Sequence, residues 1–88
     1  MNINTLWNKM HDLEGETFHT ANGLPFIIEF IDEEHIQPIR EGHETWVLSK
    51  NLFEKAITAF ELGIKEFRRT IIGSSYVLAI LMDERVQN

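Results

Sequence analysis

Residues 26–31 read Phe-Ile-Ile-Glu-Phe-Ile, and this stretch decides how the chain folds. Successive side chains of a β-strand point to opposite faces of its sheet, so the run places Phe26, Ile28 and Phe30 on one face. We predict a strand whose three apolar side chains point into the core. The other face carries Glu29 between two isoleucines, so it is partly apolar as well.

Turn signals on both sides of this run predict strands that lie antiparallel to it. Before it, Asn22-Gly23 tolerates the two positive φ angles of a type I′ turn and predicts a hairpin with residues 17–20. After it, a polar turn leads into a third strand at residues 35–40. Pro38 has no amide to donate to a ladder, which predicts that this strand is an edge or is bulged there.

Apolar residues at helical spacing predict a first helix near the amino end. Asn4 or Thr5 would cap its start, since a short side-chain oxygen can accept a free amide of the first turn. Gly15 suits its end, where a left-handed residue carries least strain as glycine. The residues on the apolar face are Ile3, Leu6, Trp7, Met10 and Leu13.

The clearest helical pattern begins near residue 50 and has a broad apolar face. Two starts fit equally well: Ser49 as the cap, or Asn51 in a capping box with Glu54. The sequence leaves this choice open. The apolar residues of the helix are Leu52, Phe53, Ala56, Ile57, Ala59, Phe60 and Ile64.

Residues 76–82 are all apolar and fit either a strand buried on both faces or a helix buried almost all round. Ser74 and Ser75 are good caps and the Ala, Leu and Met residues favour a helix, so we predict a helix. Residues 64–73 fit a helix or a loop. We therefore predict a single α+β domain over residues 1–88, with an antiparallel three- to four-stranded meander sheet packed by one N-terminal and two C-terminal helices.

Length and composition bound the class of protein. A chain of 88 residues, 43% of them hydrophobic, allows one globular domain. With no cysteine there are no disulfides, thiol nucleophiles or cysteine metal sites. Neither a secretory signal pattern nor an apolar run of about 18 residues is visible, so we expect a cytoplasmic protein without a membrane span. We also expect no cofactor. The net charge of −6 argues against a general polyanion binder.

Three segments resemble a small uncharacterised bacterial family. They are Gly23-Leu24-Pro25-Phe26, the helix start at residues 52–56 (LFEKA) and the ending at residues 75–86 (SYVLAILMDERV). Similar short sequences occur among proteins carried on mobile integron-type gene cassettes. The resemblance implies a single-domain α+β fold and brings no catalytic motif to any position of this chain.

Candidate chemical sites each have a plainer structural interpretation. The histidines lie near carboxylates but lack zinc or EF-hand spacing, so we expect solvated turn residues and no metal. The serines are better explained as helix caps than as nucleophiles. Glu29 is the most interesting acid, because a carboxylate among isoleucines could sit in a pocket and make this a small-ligand binder or an enzyme. The four histidines are His11, His19, His35 and His43.

A second alternative rests on basic residues near the last helix. Lys65, Arg68 and Arg69 could grip phosphates while Phe67 stacks on a base, as in a nucleic-acid-associated regulator. Arg40 and Lys50 could lie nearby. The plainer interpretation is a solvated basic segment, because the whole chain is acidic. We therefore do not expect nucleic acid to be the main partner.

The strongest anomaly is the amount of apolar side chain. The chain has nine aromatic residues, two Trp, one Tyr and six Phe, besides the apolar run at residues 76–82. A small monomer cannot bury all of this apolar surface, whereas a symmetric dimer can bury the remainder between its two copies. We therefore predict a non-catalytic binding or interaction module that forms a homodimer, with a further protein partner left open. The predicted interface combines the second sheet face with the last helix and comprises Ile27, Glu29, Ile31, Ile39, Tyr76 and Ile80.

Overall fold

The computed structural model describes residues 1–71 and 73–87 and has an α+β architecture, as predicted. Four antiparallel strands lie in the sheet in the order in which they occur along the chain, so the sheet is a meander. After the sheet the chain forms four helical segments where two helices were predicted. The elements are α1 (Ile3–Asp12), β1 (Thr17–His19), β2 (Pro25–Asp32), β3 (His35–Ile39), β4 (Leu48–Ser49), α2 (Lys50–Leu62), α3 (Ile64–Thr70), α4 (Ser74–Met82) and α5 (Glu84–Gln87).

The alternation in β2 sets which face of the sheet meets the helices. Phe26 and Ile28 are buried and Phe30 is half-buried, which confirms the predicted core face. These side chains belong to one hydrophobic cluster with Leu6 from α1 and Phe53 from α2. The helices therefore cover one side of the sheet, and the other side of β2 and β3 is left to solvent.

The β1–β2 turn differs from the predicted type I′ turn. Gly23 has a φ of 81°, whereas Asn22, like every other described non-glycine residue, has a negative φ. The Gly23 amide donates to the Thr20 carbonyl (2.8 Å), and the Thr20 amide donates to the Leu24 carbonyl (2.9 Å). The loop is thus a type I turn followed by a left-handed glycine, one residue longer than the predicted hairpin loop.

Pro38 lies where β3 loses its second neighbour. The Lys50 amide donates to the Glu34 carbonyl at 2.7 Å, so the backbone groups of Glu34 face β4. Backbone polar groups of alternate residues point to the same side of a strand, so the Pro38 nitrogen also faces the β4 side. It lies beyond the end of the two-residue β4. No ladder bond is lost there, and the Pro38 carbonyl accepts the Thr45 hydroxyl instead. β3 has β2 on one side and β4 on the other, so it is not the predicted edge strand, although its pairing with β4 ends before Pro38. The register shift falls in β2 after Phe30 and not at Pro38.

Side-chain caps begin the two longest helices. The Asn2 Oδ1 accepts the Asn4 amide at 2.7 Å, so the cap of α1 is Asn2 and not Asn4 or Thr5 as predicted. The Ser49 Oγ accepts the Leu52 amide at 3.1 Å, which is the first of the two options that the sequence left open for α2.

α4 confirms the helical interpretation of the apolar run at residues 76–82. Its Val77, Leu78, Ile80 and Leu81 are buried in the protomer, and only Met82 is exposed by more than half. Among the nine aromatic residues, all except Trp46 are buried or half-buried. One copy of the chain therefore buries, wholly or in part, most of the apolar side chains that were predicted to require a second copy.

Candidate interaction surface

One face of the sheet remains uncovered. Ile31 is 52% exposed and Ile39 is 39% exposed, and Ile27 is half-buried. Ile27 lies directly opposite Ile39 across β2 and β3, and Glu29 lies opposite Gln37. We call these five residues, Ile27, Glu29, Ile31, Gln37 and Ile39, the open face.

The segment before β4 borders the open face. The Gln37 Nε2 donates to the Thr45 backbone carbonyl at 3.3 Å and to its hydroxyl at 3.4 Å, which holds Thr45 beside β3. Trp46 and Val47 follow directly and are 67% and 50% exposed. Two more large apolar side chains therefore begin at the margin of this face.

The edges of the sheet are short and partly occupied. At the β1 edge, the Arg85 Nη2 donates to the Thr17 carbonyl at 2.8 Å, and the guanidinium carbon lies 4.7 Å from the centre of the Phe18 ring. β4, at the other edge, is two residues long. Short and blocked edges disfavour pairing with a strand of another molecule, so the broad uncovered surface of this sheet is its face.

The helical part of the predicted interface does not lie on the surface. Ile80 is fully buried, and Tyr76 is half-buried with its ring edge-on to Phe26 at 5.1 Å between centroids. Both side chains pack inside the protomer, because α4 turns its apolar residues toward the sheet and α2. We therefore restrict the candidate surface to the open face and the adjacent Trp46.

Glu29 does not occupy a pocket. It is exposed at the middle of the open face, opposite Gln37. Two concave sites formed by described residues, with volumes of about 600 and 730 Å³, are lined by other residues. The structure therefore does not support the alternative that Glu29 sits in a pocket, because its isoleucine neighbours lie beside it on an open surface.

The structure brings together an acid, an imidazole and a hydroxyl that the sequence analysis treated separately. His35 Nδ1 lies 2.8 Å from Asp32 Oδ1, and Ser49 is the cross-strand partner of His35. The hydrogen bond from His35, with a second from the Glu34 amide, holds the pKa of Asp32 below its ordinary value. Ser49 Oγ is engaged as the α2 cap, and the acid and imidazole are exposed to water. Local turn and cap structure explains all three groups.

The basic residues proposed for nucleic acid do not form the predicted site. Lys65, Arg68 and Arg69 are exposed on α3, but Phe67, which was expected to stack on a base, is fully buried against Phe60. Arg68 instead lines the larger concave site together with Arg40, which the sequence offered as a possible neighbour.

Comparison with known proteins adds no assignment. No protein-family model, no curated protein and no solved structure matches the chain. None of the helices within residues 1–71 and 73–87 combines the length and apolar character needed to cross a membrane. The function is therefore argued from the geometry of the surface, and the family resemblance stays a prediction.

Proposed function

We propose that this protein is a small non-catalytic interaction module of the bacterial cytoplasm, and that it forms a symmetric dimer through the open face. A single observation carries the proposal. The core face of the sheet packs against the helices of its own protomer, whereas the other face leaves Ile31 and Ile39 exposed and Ile27 half-buried. The removal of apolar surface from water is the main favourable contribution to the free energy of such association.

A second copy is the occupant that best fits this surface. In a twofold dimer each open face meets the same face of its partner, so isoleucines meet isoleucines without a second complementary surface. Two such sheets would stack about 10 Å apart with their strands about 30° from parallel. The blocked edges favour this face-to-face arrangement over a continuous sheet through two copies.

The size of the open face predicts a weak dimer. The open face lies on two strands, β2 and β3, and strands about 4.8 Å apart with about 17 Å of shared length cover roughly 160 Å². A stable interface buries about 800 Å² on each partner. Trp46 and Val47 must therefore contribute, and we expect a dissociation constant in the micromolar range.

Sedimentation equilibrium from about 1 to about 500 µM tests the proposal. The Ile39→Lys variant places a charge on the open face and should shift the protein to monomer across the range, because an unpaired ammonium would be buried in the dimer. Leu62→Lys is the matched control, since Leu62 is 72% exposed at the end of α2 and away from the open face. It should leave the equilibrium unchanged.

Two outcomes would overturn the proposal. The first is a wild-type protein that sediments at 10.3 kDa at every concentration. The second is a dimer that Ile39→Lys leaves intact while Leu62→Lys dissociates it. Circular dichroism of both variants verifies that each keeps its fold, so a loss of association is not mistaken for unfolding.

A further inference from the structure

The larger concave site is a groove that shares no lining residue with the open face. It lies where the β1–β2 turn, the end of β3, α3 and α4 meet, and its volume is about 730 Å³. This size falls within the range of sites that hold small molecules. An inference about this groove does not depend on dimer formation, because none of the five open-face residues lines it.

Two guanidinium groups from different elements line the groove. Arg40 follows β3 and Arg68 belongs to α3, and no described residue gives either guanidinium a hydrogen bond or an ion pair. His19, at the end of β1, lines the same groove. Two arginines without a partner among the described residues thus line one groove in a chain whose net charge is −6.

The carboxylate at the margin of the groove does not neutralise these groups. Asp83 is held by Arg85 in a two-oxygen ion pair, with nitrogen–oxygen distances of 2.9 Å. This hydrogen bonding keeps the pKa of Asp83 below its ordinary value and its charge committed to Arg85. The charge that remains unmatched in the groove is therefore positive, and an anion is its complement.

The rest of the groove offers hydroxyl groups and an apolar wall. Ser74 and Ser75 provide two hydroxyls near the start of α4. Leu24, Leu78 and Met82 provide apolar surface, with Leu24 38% and Met82 56% exposed. A ligand that fills this groove needs both an anionic head and an apolar body.

We propose that this groove binds a small organic phosphate monoester. Arg40 and Arg68 would hold the phosphate, and its apolar or aromatic body would lie against Leu24 and Met82. A phosphate monoester fits better than a carboxylate because its three terminal oxygens and its charge of nearly −2 match two guanidinium groups with neighbouring hydroxyls. The two arginines carry this assignment together, since each alone is an ordinary surface cation.

Titration of the ¹⁵N-labelled protein with phenyl phosphate, followed by two-dimensional NMR, tests the proposal. We expect saturable shifts of the amides in the β1–β2 turn and at Ser74 and Ser75. Inorganic phosphate should bind at least about 5-fold more weakly than phenyl phosphate, because it lacks the aromatic ring. Phenol, which lacks the phosphate, should cause no saturable shifts. Arg40→Gln and Arg68→Gln should each weaken phenyl phosphate by about 10-fold or more.

Lys55→Gln is the matched control, because it removes one exposed cation from α2 outside the groove. It should change the affinity by less than about twofold. Equal affinity in wild type and both arginine variants would overturn the proposal, as would shifts that fail to saturate. The proposal would also be overturned, in favour of nucleic acid, if an oligothymidylate bound more tightly than phenyl phosphate and its binding depended on Lys65 and Arg69 but not on Arg40.

Discussion

At the scale of single residues, Arg85 joins the end of the chain to its first strand. It donates to the Thr17 carbonyl, lies over the Phe18 ring and forms its ion pair with Asp83. The hydrogen bonds and the charge of Asp83 raise the pKa of Arg85 above its ordinary value, with a smaller contribution from the charge of Glu16. The sequence showed only an acid and an arginine two positions apart, so the long-range half of this arrangement could not be predicted.

The Asp83–Arg85 pair predicts a pH-dependent contribution to stability. The folded-state pKa of Asp83 lies below its ordinary value of 3.8, so its contribution is present above pH 3.8 and is lost as the pH falls through the folded-state pKa. We expect Asp83→Asn to lower the free energy of unfolding by about 0.5–1 kcal/mol at neutral pH, a value reduced for solvent screening. At an acidic pH below the folded-state pKa of Asp83 this difference should disappear.

Urea unfolding of wild type and Asp83→Asn at both pH values measures the effect. Asparagine keeps an oxygen that can accept the Arg85 amide, so the comparison isolates the charge. Glu84→Gln, which removes a neighbouring exposed acid, should have no comparable effect at neutral pH. A destabilisation by Asp83→Asn that persists at the acidic pH would show that the ion pair is not its cause.

At the scale of elements, periodicity predicted most of the fold. The alternation in residues 26–31 gave the buried face of β2, and the apolar residues 76–82 formed the expected helix. The errors fall at ends and turns. Asn22-Gly23 formed a longer loop, and Asn2 capped α1. Several neighbouring polar residues can accept hydrogen bonds from the same backbone amides. These alternatives differ little in free energy, so the packing on either side decides which one forms.

The start of α2 gives a prediction at this scale. Ser49→Ala should lower the free energy of unfolding by about 1 kcal/mol, because the Leu52 amide loses its acceptor at the first turn. Asn51→Ala should cost less than about 0.5 kcal/mol, since Asn51 is exposed inside the helix. Thermal unfolding of both variants measures the difference, and equal losses would contradict Ser49 as the cap.

At the scale of the whole molecule, the sequence predicted an apolar surplus but misplaced part of it. Tyr76 and Ile80 pack within the protomer, while Ile31, Ile39 and Trp46 stay exposed. Periodicity shows which side chains share a face but not which faces the packed helices cover. Arg40 was named as a possible neighbour of Arg68, but the groove was not predicted, because the β1–β2 turn and α4 complete it only in the folded chain.

Charge should modulate the proposed dimer. Each copy carries a net charge of −6, and Glu29 lies at the centre of the open face, so association brings like charges together and removes water from a carboxylate. We expect Glu29→Gln to lower the dissociation constant by about 3- to 10-fold. Raising the salt concentration should also strengthen the wild-type dimer, through screening.

Sedimentation equilibrium at low and moderate salt measures both effects. Glu54→Gln is the control, because it removes the same charge from the exposed side of α2 and leaves the open face intact. Its effect should be smaller than that of Glu29→Gln. Equal effects of the two substitutions would mean that only net charge matters and that Glu29 lies outside the interface.

The most direct test of the open-face dimer is an isotope-filtered NOE experiment on a mixture of labelled and unlabelled protein. At a concentration where the dimer predominates, we predict intermolecular NOEs to the methyl groups of Ile27, Ile31 and Ile39. Intermolecular NOEs confined to other surfaces, such as Leu62 or Met82, would contradict the account, as would their absence from all three isoleucines.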